Sequence, residues 1–268
     1  MQPLSKSLLS RYTSLKYKKY RDQYNQYIIS GFNAVETAIQ SRDISIESLI
    51  IRDDQIQRTR QLQQSIVNQK RIPIYQLNLR QFIQLSDERN PQGVAVVVNK
   101  PANNIDPDHI AGPAFIYLDK VNDPGNLGTI IRTACWFDVK TILLSPNSAD
   151  PFQPKTTRAS AGLVSHIQVG ENLDNSFLTV LKMKFNYKLI GASVNGDKLL
   201  TNYKFNAALK YGFVFGSEAQ GISPQIDDLL DEKISIPSFG PGESLNLAAS
   251  TAIFLSEYKR QTTRIINK

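Results

Sequence analysis

Two spacings of apolar positions alternate along this chain from residue 28 to its end. Compact runs of β-branched and aromatic residues read as strands, and apolar residues three and four apart read as helices. In the first stretch this predicts helices over 33–40, 55–69 and 80–85 and strands over 48–51, 72–76 and 93–99. The last strand carries Val94, Val96, Val97 and Val98 and reads as buried on both faces. Residues 100–113 break both periods with three prolines and two asparagines, so a domain boundary is placed at a 101–113 linker. Beyond it, strands are predicted at 114–118, 141–144, 166–169, 188–192, 212–215 and 233–236, and helices at 129–137, 175–184 and 247–259. Strands alternating with helices argue for an α/β fold with a mostly parallel sheet covered on both faces.

The first 27 residues differ. Residues 1–30 hold Lys6, Arg11, Lys16, Lys18, Lys19 and Arg21 against Asp22, a net of +5 out of +7 for the whole chain. The remaining 7 − 5 = +2 makes a near-neutral body under a basic arm. Tyr17, Tyr20, Tyr24 and Tyr27 are spaced three, four and three apart, so a helix would carry them on one face. One reading is a grip on nucleic acid, with Lys16, Lys18, Lys19 and Arg21 on phosphates and phenol rings free to stack. Another is a tyrosine stripe packed on the body with solvated lysines outside. A third is an organelle presequence, since the first 21 residues lack acid and contain four serines.

Composition narrows the chemistry. Cys135 is the only cysteine, which excludes an internal disulfide and a thiolate zinc cluster, and no metal site is expected. A single cysteine fits a reducing compartment, and a cytoplasmic location is expected. His109 and His166 are the only histidines, so chemistry resting on several histidines is not expected. No apolar run approaches the 18 or so residues of a membrane-spanning helix.

Three polar, glycine-containing segments follow predicted strands: 123–132, 216–221 and 240–246. Ligands of open α/β sheets bind beyond the carboxyl ends of strands, so three such segments look like one site assembled from distant parts. Neither the three-glycine dinucleotide fingerprint nor a phosphate loop ending in Lys-Ser/Thr is present. Arg132 offers a planar fork of donors to phosphate or carboxylate, or a surface salt bridge. Glu218 is either an acid at a helix start or an orienting group. Ser244 and Asn246 either cap the following helix or serve the site. Cys135 and Trp136 read as core.

Those residues carry a family resemblance. The stretch from Leu118-Asp119-Lys120 through Asp123-Pro124-Gly125-Asn126-Leu127-Gly128 to Arg132-Thr133-Ala134 resembles the first signature motif of the SpoU (TrmH) family of RNA ribose 2′-O-methyltransferases, in the SPOUT class. Phe215-Gly216-Ser217-Glu218-Ala219-Gln220-Gly221 resembles the second, and Ile236-Pro237 with Glu243-Ser244-Leu245-Asn246-Leu247 the third. Pro154-Lys155 and Arg158-Ala159-Ser160-Ala161-Gly162 are similar to a family segment between the first two. Ile28-Ile29-Ser30-Gly31 and Asn90-Pro91-Gln92-Gly93 resemble the small L30e-like substrate-binding domain of the family. Two departures stand out: Asp138 where a glycine is usual, and Ser238-Phe239 where a methionine-containing stretch is usual.

The resemblance implies a basic arm at 1–27, an L30e-like RNA-binding domain at 28–100 and a methyltransferase domain at 114–268 with a deep trefoil knot. It implies S-adenosylmethionine held by the backbone at Gly216, Ile236 and Leu245, and a homodimer with the site near the subunit interface. It places Asn126, Arg132, Glu218, Ser244 and Asn246 in the catalytic site. Ribosomal RNA is the expected substrate. Transfer RNA, or a non-catalytic role in RNA binding or ribosome assembly on the same fold, are the alternatives.

Overall fold

The computed structural model describes residues 1–41, 44–69, 72–86, 88–101 and 105–263; part of the predicted linker, 102–104, and the tail at 264–268 lie outside the described residues. In chain order the first elements are β1 (Gln2–Pro3), α1 (Lys6–Ser14), α2 (Lys18–Tyr24), β2 (Gln26–Ser30), α3 (Phe32–Gln40), β3 (Ile46–Arg52), α4 (Arg60–Gln69), β4 (Ile74–Leu77), α5 (Leu79–Leu85) and β5 (Val94–Asn99). Next come β6 (Ala114–Asp119), α6 (Pro124–Trp136), β7 (Thr141–Leu144), α7 (Pro154–Ala159), β8 (Gln168–Gly170), α8 (Asn175–Phe185) and β9 (Tyr187–Ala192). The chain closes with β10 (Lys198–Leu199), β11 (Lys210–Gly216), α9 (Pro224–Asp227), β12 (Glu232–Ser235) and α10 (Leu247–Thr262). Two compact units result: Met1–Ala102 with Asp150–His166, and Asn103–Ala149 with Ile167–Lys268.

The first unit is built on a five-stranded mixed sheet in the order β1-β4-β3-β5-β2. β5 pairs antiparallel with both β3 and β2, and its valines are fully buried, as the unbroken apolar run predicts. Leu4, Tyr12, Leu15, Leu77, Phe82 and Leu85 close one core over Ile50, Ala95 and Val97.

The N-terminal arm does not form the single helix that would align four tyrosines. Tyr17 is the N-cap of α2, and Asn25, left-handed at φ 51°, ends it. Asparagine tolerates that conformation better than most residues. Tyr27 therefore falls on β2, where it is buried against the ring of Phe152 at 4.9 Å between centroids. Packing claims Tyr12 and Tyr27, whereas Tyr17 stays exposed.

Residues 150–166 sit among motifs of the predicted second domain, yet they pack in the first unit. Thr157 Oγ1 donates to the carbonyl of Ile28 on edge strand β2. Ser41 Oγ donates to the carbonyl of Ser165 at 3.0 Å, and a side chain at Gly162 would overlap the carbonyl oxygen of Ala34. An edge strand with free carbonyls needs such cover. This part of the chain is remote in sequence, which is why local pattern alone assigns it elsewhere.

The second unit holds a seven-stranded, wholly parallel sheet in the order β10-β12-β9-β11-β6-β7-β8. β6 is buried along its whole length, and β11 from Tyr211 onward, the mark of strands covered on both faces. The helix predicted from 129 begins at Pro124, because Asp123 caps it: Asp123 Oδ1 accepts the N–H of Asn126 at 2.7 Å. Proline suits the first helical position. Gly125, Asn126 and Gly128 are thus helical rather than a loop. Trp136, expected in the core, is 84% exposed at the end of that helix. Asp138 adopts φ 49°, the left-handed turn that a glycine would take without strain. Among the described residues no helix is long and apolar enough to cross a membrane.

Candidate active site

In this parallel sheet β6, β11 and β12 run the same way, so the segments leaving their C-terminal ends open on one edge. Three polar side chains from those segments meet there. Glu218 Oε1 accepts from the side-chain amide of Asn126 at 3.1 Å and from that of Asn246 at 3.0 Å. The backbone N–H of Leu247 adds a third donor at 3.4 Å. Asn246 Nδ2 also donates to Asn126 Oδ1 at 3.0 Å, while Asn246 Oδ1 caps α10 by accepting from Ala248 and Ala249. One side chain therefore both caps the helix and joins the hydrogen-bonded trio. The Glu218 charge lies at the start of α10, where a helix favours an anion by about 0.3–1 kcal/mol.

The turn that presents Glu218 is set by two glycines. Ser217 and Gly221 exchange backbone hydrogen bonds at 3.1 and 2.9 Å, with Gly221 at φ 68°. The turn folds so closely over Gly216 that a Cβ there would overlap the backbone of Gly221 and Ile222. Asp119 holds the far side of the turn. It is 2% exposed, and its Oδ2 accepts the N–H of Ser223 at 2.7 Å. Reading the sequence for polar loops missed Asp119; a carboxylate ending an apolar strand run is the signal that marks it.

The third segment is open. Residues 237–245 make no backbone–backbone hydrogen bond with any described residue, and the space beside Gly240 and Gly242 is empty. Leu245 and Phe239 are 50% and 95% exposed, Ile236 is half-buried and Ser244 is exposed. Apart from the Gly240 carbonyl, which accepts from Ser238 Oγ at 3.0 Å, the segment therefore presents backbone donors and acceptors beside apolar side chains. Such a surface suits a ligand with a heterocycle and a polar edge.

Arg132 lies apart from the trio. It stands six residues on from Asn126, about 9 Å along α6 at 1.5 Å per residue. It is exposed, and among the described residues its guanidinium has no hydrogen-bond or ion-pair partner. Thus the structure joins Asn126, Glu218 and Asn246, and leaves Arg132 and Ser244 outside that hydrogen-bonded group. Cys135, one residue before Trp136, is half-buried, and burial pushes its thiol up to about 11.

Of the basic residues assigned to an RNA grip, Arg21 is a correction. It is 3% exposed. Its Nη1 donates to the carbonyls of Leu15 and Lys16, and its Nε and Nη2 to Asp150 Oδ2 at 3.2 and 2.6 Å. Four of its five N–H groups are turned inward and the side chain is buried, so it fastens 150–166 to the arm and is not placed to meet a phosphate. Lys18 and Lys19 are exposed, and Lys16 is half-buried.

Comparison with known proteins matches two stretches of the chain. Residues 113–256 match the model of the SpoU rRNA Methylase family, and residues 9–96 match the MRM3-like substrate binding domain. The chain is 28% identical over 241 residues to the 23S rRNA (guanosine(2553)-2′-O)-methyltransferase RlmP of Bacillus subtilis, covering 89% of this chain and 90% of that one. It is 26% identical to the 23S rRNA (guanosine-2′-O-)-methyltransferase RlmB of Neisseria meningitidis, covering 88% and 96%. Among solved structures, the AdoMet-bound rRNA methyltransferase of Sinorhizobium meliloti superposes with a TM-score of 0.79 at 25% identity, over 97% of each chain.

Proposed function

The chain belongs to the SpoU rRNA Methylase family, and from that membership we propose that it transfers a methyl group from S-adenosylmethionine to a ribose 2′-hydroxyl of ribosomal RNA. The observation that carries this reading is the meeting of Asn126, Glu218 and Asn246 at one sheet edge beside the open 236–246 segment. The residues present fit the cofactor. Ile236 and Leu245 flank the 237–245 stretch, whose backbone makes no backbone–backbone hydrogen bond with any described residue, and Gly216 ends β11 beside it with no side chain to fill the space; an adenosine requires such backbone groups next to apolar cover. Bound there, S-adenosylmethionine supplies a methyl already activated by the positive sulfonium.

The protein's task is then alignment. Positioning of two reactants contributes on the order of 7–11 kcal/mol to such a step. Glu218 gathers the amides of Asn126 and Asn246 and holds the segments that frame the ribose at a fixed separation. Ser244, exposed on the same segment as Asn246, presents a hydroxyl to substrate or cofactor. Arg132, unpaired and exposed, clamps the phosphate beside the target ribose and stabilises the developing alkoxide. A guanidinium is not deprotonated in proteins, so it serves as a charge and not as the base.

The C-terminal part of the chain forms a trefoil knot, and two copies of the chain associate in a cytoplasmic homodimer. Trp136, 84% exposed at the end of α6, is assigned to the contact between the two copies. The first unit binds the RNA, with Lys16, Lys18 and Lys19 contributing phosphate contacts. Incubation with labelled S-adenosylmethionine and unmodified rRNA or tRNA, followed by nuclease digestion, tests the reading. A 2′-O-methyl nucleoside released from rRNA is expected. Label on a base, on tRNA alone, or on no RNA overturns it. Arg132→Ala is expected to abolish transfer with cofactor binding nearly intact, and turnover within about tenfold of wild type would remove the role given to Arg132.

A further inference from the structure

Seven described non-glycine residues have positive φ, and five of them are Asn or Asp, the types that tolerate it: Asn25, Asp138, Asn147, Asn172 and Asn186. Lys120, at φ 54°, has no such excuse. Its surroundings impose the conformation. Its N–H donates to Ser145 Oγ at 2.7 Å, and Ser145 is buried, with its own N–H bonded to the carbonyl of Leu118. The preceding residue, Asp119, is turned inward to Ser223. The backbone kink therefore places consecutive charges on opposite sides: a buried carboxylate that holds the Glu218 turn, and an ammonium in solvent.

Most lysines of its unit are paired. Lys182, Lys188, Lys198 and Lys233 all end on carboxylates. Lys120 is exposed and, among the described residues, has no hydrogen-bond, ion-pair or ring partner. It leaves the C-terminal end of β6, the edge on which Asn126, Glu218 and Asn246 meet, and precedes the Asp123 cap by three residues. Strained backbone persists where the surrounding structure over-determines it, and such positions cluster at ligand-contacting sites.

We propose that Lys120 contacts a backbone phosphate of the RNA strand entering this site, an assignment that rests on the methyltransferase reading. A flexible lysine binds phosphate as a point charge, so the contact adds affinity and salt dependence without reading sequence.

The test is binding of an unmodified large-subunit rRNA transcript across a salt series, with Lys120→Gly, Lys120→Ala and Lys120→Arg variants. Loss of one phosphate contact lowers the slope of log affinity against log salt by about 0.7–1. The Gly and Ala variants are expected to show that change, with affinity about five- to tenfold weaker at low salt, while Arg keeps the wild-type slope. S-adenosylmethionine affinity stays unchanged. Lys120→Gly, freed of the strain, melts within about 3 °C of wild type, which separates a lost contact from a damaged fold. Unchanged slopes in both Gly and Ala variants overturn the proposal, as does an Arg variant as weak as Ala. Wild-type protein that binds the transcript but transfers no methyl sinks the methyltransferase reading, and the slopes still decide the phosphate contact. Wild-type protein that neither binds nor methylates overturns both.

Discussion

Asn246 donates its side-chain amide to Glu218 Oε1 at 3.0 Å across 28 residues of sequence, and in the same position caps α10. One residue thus sets where a helix begins and where the Glu218 turn is held. The cap tends to fix the backbone of 246–249, which in turn fixes the amide that reaches Glu218.

Glu218→Gln keeps the size of the side chain and removes its charge. A hydrogen bond to a charged group contributes about 1.5–3 kcal/mol, and the exposure of Glu218 reduces that to about 1 kcal/mol. S-adenosylmethionine binding measured by calorimetry is expected to weaken by roughly fivefold, with a larger loss in Glu218→Ala. Equal affinity in all three proteins would mean that the trio does not organise the cofactor segment.

Gly216→Ala tests the turn. Its Cβ would collide with backbone at Gly221 and Ile222, atoms that cannot move aside like the end of a side chain. The 217–221 turn is expected to open and cofactor binding to fall below detection, with the melting temperature lowered by several degrees, as an overpacking cost of about 1–3 kcal/mol implies. An alanine variant that binds as tightly as wild type would exclude this packing.

Arg21 and Asp150 form a buried pair. Arg21→Ala leaves Asp150, whose side chain is 9% exposed, with the N–H of Phe152 and the ammonium of Lys18 at 3.8 Å, so the expected cost falls at or below the lower end of the range for a broken buried pair, about 3 kcal/mol. Urea denaturation should show it, with Lys failing to rescue because a single ammonium cannot span the carbonyls and the carboxylate that the planar guanidinium reaches from two edges. If Arg21→Ala were as stable as wild type but bound RNA less tightly, the residue would belong to the RNA surface after all.

Cys135 gives a pH signature. Burial holds its thiol up to about 11, so the folded protein binds that proton more tightly than the unfolded chain does. The associated stability is present below the ordinary thiol value and is lost as pH rises toward 11. Alkylation by iodoacetamide is expected to be slow at pH 8 in the folded protein and fast in denaturant. Rapid alkylation of the native protein at pH 8 would contradict the burial.

Much of this architecture was legible in the chain before folding was considered. The valines of 94–98 and the run from Ala114 to Leu118 announce buried strands, because no other element hides consecutive β-branched and aromatic residues so well. The polar segments after β6, β11 and β12 pointed to one site, since parallel strands expose their C-terminal ends on a single edge. Local pattern failed where a distant partner decides the outcome. Arg21 reads as an RNA contact until Asp150, 129 residues away, takes its guanidinium. The tyrosines at 17–27 fit one helical face, but Tyr27 gains more by burial on β2 against Phe152. Trp136 looks like core by residue type and is left in solvent by the end of its helix. Lys120 is an ordinary lysine in the sequence, and only the packing of Ser145 and Ser223 around it forces the left-handed kink. Hydrophobic period and cap residues act over a few positions and so can be read from order alone. Ion pairing, edge covering and backbone strain depend on which remote groups arrive, and that is decided only when the chain closes on itself.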